Sequence, residues 1–216
     1  MRPALSLGLF ALMLPLAAGA ASAQESPPPA LIHVAHVSER FAGTPENQGL
    51  LATALADAGV AAQHARLGAQ DPSNLEAMKR HAGHIIHAID PSRVEEGPGS
   101  GYGLHKAADY LMKHGELAGK SQGATPNVTT HSPHVAASAR NTLQRADQIV
   151  ALAVTIRDYV ESAEEAAALF AELKAVADQL VAGVDANGDG RVGWQEGEGG
   201  LQQVQEHVNF MKQASD

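Results

Sequence analysis

Near the C-terminus, oxygen-bearing side chains recur at the spacing a hard divalent cation needs. Asp185, Asn187 and Asp189 are the first, third and fifth residues of a twelve-residue run. Gly190 follows with the backbone freedom for a sharp turn, and Glu196 ends the run with a carboxylate able to bind through both oxygens. Between them Arg191 offers its main-chain carbonyl, and Gly193 leaves the ninth position to water. A flexible all-protein oxygen cage with a bidentate closing acid selects Ca²⁺ over Mg²⁺, which gives up its waters reluctantly. Three carboxylates, instead of four or five, put the expected affinity in the moderate-to-weak range.

The run fits the pattern D-x-[DN]-x-[DN]-G-x₅-E throughout, and residues 170–212 resemble the EF-hand family of calcium-binding helix-loop-helix units. The resemblance implies one Ca²⁺ site formed by Asp185, Asn187, Asp189, Arg191 and Glu196, with Val192 packing against a neighbour. The chain departs from the family at Gly197, Gly199 and Gly200, each of which weakens an exit helix by roughly a kcal/mol relative to alanine. EF-hands usually work in pairs, yet the nearest second loop, 90–101, has no acid at its third or fifth position. The site therefore pairs with a degenerate segment, pairs across a homodimer or with another protein, or stands alone.

The second chemical signal is eleven histidines, seven of them in H-x-x-H spacings: His33 and His36; His81, His84 and His87; His131 and His134. Residues three apart on a helix are surface neighbours, so His81 with His84, or His84 with His87, could share one Cu²⁺, Zn²⁺ or Ni²⁺. All three do not easily reach one centre. Facing helices could add His64, His105, His114 or His207, as bundles build metal sites from inward residues. Haem held by histidine, with Met78, Met112 or Met211 as an axial partner, is also compatible. The plainer alternative is a set of separate surface or hydrogen-bonded core histidines.

Helices must position these residues. Thr44-Pro45, Asp71-Pro72 and Ser132-Pro133 each place a capping residue before a proline suited to the first helical position. Ser162 with Glu165 forms a capping box. The expected helices are 45–67, 72–89, 104–118, 133–159, 163–181 and 201–212, with the second stopped at Asp90-Pro91. Period-two alternation is confined to a weak stretch at 31–37. The expectation is an all-α helical bundle with a C-terminal helix-loop-helix. Residues 1–23 read as a signal peptide, 24–43 as an extended proline-rich tether, 44–160 as a His-rich bundle and 161–216 as the helix-loop-helix packed on it.

Composition narrows the function. Met1-Arg2, the apolar run 5–16 and Ala21-Ser22-Ala23 have the form of a secretory leader, which implies a periplasmic or secreted protein with no membrane span after cleavage. Acids outnumber bases 24 to 15 without a basic patch, which disfavours nucleic acid and anionic membranes as partners. With no cysteine, the chain has no disulfide, thiolate nucleophile or thiolate metal ligand. The glycine-rich segment 97–103 lacks the lysine and spacing of a phosphate loop, and there is no G-x-S-x-G elbow. His87 near Asp90 could be an acid–base pair, but at a helix end such a pair is usually a cap. The sequence thus points to a non-enzymatic, exported Ca²⁺-binding protein with a structural or sensory site. Its alternative is a His-rich copper, zinc or haem protein for storage, delivery or electron transfer.

Overall fold

The computed structural model describes residues 26–213, so the leader lies outside the described residues. The fold is all-α, with seven α-helices among the described residues: α1 Pro29–Ser38, α2 Leu50–Gly68, α3 Leu75–Ile89, α4 Leu104–Lys120, α5 Pro126–Asp158, α6 Ala163–Ala182 and α7 Leu201–Met211. At about 1.5 Å per residue, α5 is about 50 Å long, and α3, α4, α6 and α7 all pack on it. One hydrophobic core runs from Val34 of α1 to Met211 of α7. It crosses the expected boundary at residue 160, so the C-terminal helices belong to the same bundle. No helix among the described residues is long and apolar enough to cross a membrane.

Several boundaries differ from expectation for identifiable reasons. The described part of the expected tether, 26–43, is not extended throughout, and the stretch 31–37 is not a strand: α1 occupies Pro29–Ser38. Pro29 sits at the start of the helix, where its missing N–H costs nothing, and Ala30, Val34 and Val37 form a buried stripe. The Thr44-Pro45 start yields a single 3₁₀ turn, because Glu46 and Asn47 adopt positive φ and Thr44 donates its hydroxyl to the Gln48 carbonyl instead of capping. The next helix begins after Gly49, where a Cβ would stand 2.7 Å from the backbone at the end of α1. After Asp71-Pro72, the cap is Asn74, whose side chain accepts from Ala77 N–H at 3.0 Å.

Ser132-Pro133 is the largest miss. The same signature occurs earlier at Thr125-Pro126, and there it is used: Thr125 Oγ1 accepts from Val128 N–H at 3.2 Å and α5 starts. Pro133 then lies inside the helix on its exposed face, where water can solvate the carbonyl that lost its donor. Ser132 is buried and its hydroxyl finds no protein partner. The Ser162 cap accepts from Glu165 N–H as expected, and α3 ends before Asp90.

The glycine-rich loop 97–103 is tied down by a buried carboxylate the sequence did not single out. Asp57 of α2 accepts from Ser100 N–H at 2.7 Å, Ser100 Oγ at 2.6 Å and Gly103 N–H at 3.1 Å.

Candidate metal centres

Three of the four H-x-x-H pairs each lie on one helix and meet a single histidine from another. His33 and His36 of α1 face His114 of α4; His81 and His84 of α3 face His64 of α2; His131 and His134 of α5 face His207 of α7. In each triad the three ligand atoms lie within 4.8 Å of one another, which suits a metal ion.

The positions follow from the core stripes. Every one of these nine histidines is followed by a buried residue: Val34, Val37, Ala65, Ala82, Ile85, Gly115, Ser132, Val135 and Val208. Each imidazole therefore sits one residue, about 100° of helical rotation, off a core-facing position. Where two such edges meet between packed helices, the rings converge at the rim of the core.

Nδ1–Nδ1 separations are 2.8 Å for His33–His114 and 3.4 Å for His36–His114. They are 3.0 Å for His64–His81, 3.3 Å for His64–His84 and 3.0 Å for His131–His207. Nitrogens at zinc–nitrogen bond length around a tetrahedral ion stand about 3.3 Å apart, so these separations are compatible with the ligands of one ion. Hydrogen bonding alone serves three converging nitrogens poorly, since one N–H cannot satisfy both other lone pairs.

The electrostatics favour the neutral, ligating form. His64, His114 and His207, the single histidine of each triad, have pKa values lowered to about 4, first by burial and then by their triad partners. Burial also lowers His33, His36, His81, His84 and His134.

The surroundings differ. Around the first triad, the Phe41 ring centroid lies 5.2 Å from both His36 and His114. Around the third, Phe210 stacks on His131 and Trp194 stacks on His134 at 3.9 Å with a 15° interplanar angle.

The grouping His81, His84 and His87 is thus corrected. The third partner is His64, and His87 turns away to the Pro98 carbonyl at 3.0 Å. Asp90, its proposed acid–base partner, accepts from Ser92 and Arg93. His105 faces Asp147 on the surface. No local spacing identifies the third ligand of any triad; the one legible signal is a histidine just before a core-facing residue.

In the loop 185–196, Asp185 Oδ1 accepts from Gly188 N–H at 2.7 Å and its Oδ2 from Gly190 N–H at 2.9 Å. Asn187 and Asp189 accept from Asp189 N–H and Arg191 N–H, each at 2.9 Å. Glu196 is exposed, and the exit helix begins only at Leu201. The buried carboxylate is Glu198, which accepts from Gly193 N–H at 2.8 Å. Among the described residues, the three-ligand groups that converge to metal-binding distance are the histidine triads, not the loop acids. The chain matches no protein-family model, no curated protein and no solved structure.

Proposed function

We propose that this protein is an exported transition-metal binder that holds up to three ions for buffering or delivery, with Zn²⁺ and Cu²⁺ the best fits. The observation that supports this most directly is the assembly of nine of eleven histidines into three triads of one design. Imidazole suits Zn²⁺, Cu²⁺ and Ni²⁺, while the lack of cysteine argues against thiolate-selected ions. Three protein ligands leave a fourth position for water or an incoming ligand, which suits an ion meant to exchange better than one meant to lock the fold. Three copies of one site supply capacity, whereas catalysis needs only one. Two histidines of one triad do not form a bis-histidine haem site, because imidazole nitrogens about 3 Å apart cannot bracket a porphyrin between them.

The test is an elemental inventory of the mature protein, purified from its native compartment without chelators or an affinity tag. Zinc or copper near three per chain is expected, and a chain that takes up neither in stoichiometric amount overturns the reading.

A Ca²⁺ site in the loop 185–196 is the second reading, supported by its spacing and by the compact turn Asp185–Gly190. Its use here is structural, joining α6 to α7. Calcium near one per chain in the same inventory supports it.

A further inference from the structure

The third triad differs from the other two in having a loop residue stacked face to face on one of its ligands; Phe41 meets the first triad edge-on. Trp194 lies nearly parallel to His134 at 3.9 Å, close enough to fix the imidazole's tilt. His134 Nδ1 is enclosed and has no hydrogen-bond partner in the protein, a condition a bound ion would relieve.

Trp194 is itself held from α5. His134, Ser138, Asn141 and Arg145 fall on one stripe of that helix at i, i+4, i+7 and i+11. Asn141 donates to the Gln195 carbonyl at 2.7 Å and accepts from Gly197 N–H at 3.0 Å. The buried Arg145 guanidinium donates to the carbonyls of Gly197, Glu198 and Gly199, each at 2.7 Å. Gly199 fits only without a side chain, since a Cβ would stand 2.5 Å from Ser138 Oγ. One polar stripe therefore presents a metal ligand at one end and clamps, at the other, the segment that covers it.

We infer that Trp194 is a positioning residue of the third metal site, closing one side of it so that this site releases its ion more slowly than the second triad. The inference rests on the three-site reading above. The ring limits rotation of His134 and blocks an incoming ligand from its side, while Asn141 and Arg145 keep the ring in place. The third site is then retentive relative to the second, whose ring contacts are among its own histidines.

The test uses the whole chain loaded with Zn²⁺ and follows transfer to a chromophoric chelator. H64N/H114N leaves the third triad intact, and H114N/H207N leaves the second. W194A should speed release from the third triad by about tenfold, the lower end of what outer-shell changes do to metal affinity. It should leave the second triad unchanged. W194F should restore slow release, because a flat ring is what the geometry uses, and N141A should speed it by loosening the clamp. Equal release rates from H64N/H114N with and without W194A overturn the inference while leaving the metal reading intact. Acceleration at both triads also overturns it, since that is general loosening. A chain that binds no Zn²⁺ stoichiometrically defeats the metal reading itself.

Discussion

The Nδ1 atoms of His64 and His81 stand 3.0 Å apart across the interface of α2 and α3. Burial first, and then the neighbouring His84 and His81, lower the His64 pKa to about 4. His114 and His207 are in the same condition. The unfolded chain takes up these protons near pH 6.5 and the folded chain only near 4, so between those values the unfolded state binds more protons. Stability of the metal-free protein should therefore be full above pH 6.5 and fall as pH drops towards 4. Thermal melting of the metal-free chain across this range checks it; a flat profile would mean that the rings do not converge.

Bound metal should steepen this dependence on pH. An ion that binds only the folded chain stabilises it by mass action. Zn²⁺ should thus raise Tm at pH 7, and the gain should shrink on acidification as protons compete for the imidazoles. A Tm at pH 7 that is identical with Zn²⁺ and with a chelator would contradict this.

Single-site variants should subtract whole ions. H114N leaves His33 and His36 without their partner, so metal content should fall from three to two per chain. The residual pair should bind more weakly by more than the roughly 10–100-fold that outer-shell changes cost. H64N and H207N should each do the same independently, because the triads draw on different helices. H87N and H105N should leave the count at three. Equilibrium dialysis with elemental analysis reads all five.

Asp57 predicts the opposite pattern, a stability change without loss of metal. Its carboxylate accepts from three donors at the loop 97–103, and alanine would leave buried N–H groups unmet. D57A should cost roughly 1–3 kcal/mol for each buried donor it leaves unsatisfied. Urea denaturation gives the cost, and the metal count should stay at three.

The helices were legible where apolar period and cap agree, as at Ser162 and at the stop before Asp90. They were misplaced where two signatures compete. Thr125-Pro126 and Ser132-Pro133 are locally equivalent, and only the tertiary setting, with Pro133 outward, makes one a start and the other an interior position. The paired histidines were visible because H-x-x-H is a property of one helix. His64, His114 and His207 were available but unassigned, because which helices pack together is not written in local spacing. For the same reason, nothing in the order of residues tied Asn141 or Arg145 to the segment 195–199.

The loop 185–196 separates two carboxylates that sequence spacing alone would rank differently. Glu196 stands at the twelfth position, where a bidentate acid closes the cage, and it is exposed. Glu198 is buried and holds Gly193 N–H. If Ca²⁺ binds in this loop, E196Q should weaken it sharply by removing a charged oxygen from the closing ligand. E198Q should act mainly on loop stability, since an amide oxygen can still accept from Gly193. Trp194 is the only tryptophan in the chain and lies within the run, so its emission should change on Ca²⁺ addition. Isothermal titration with Ca²⁺ alongside Trp194 emission distinguishes the roles. Unchanged binding in E196Q removes the Ca²⁺ assignment and leaves the segment as a clamp beside the third histidine triad.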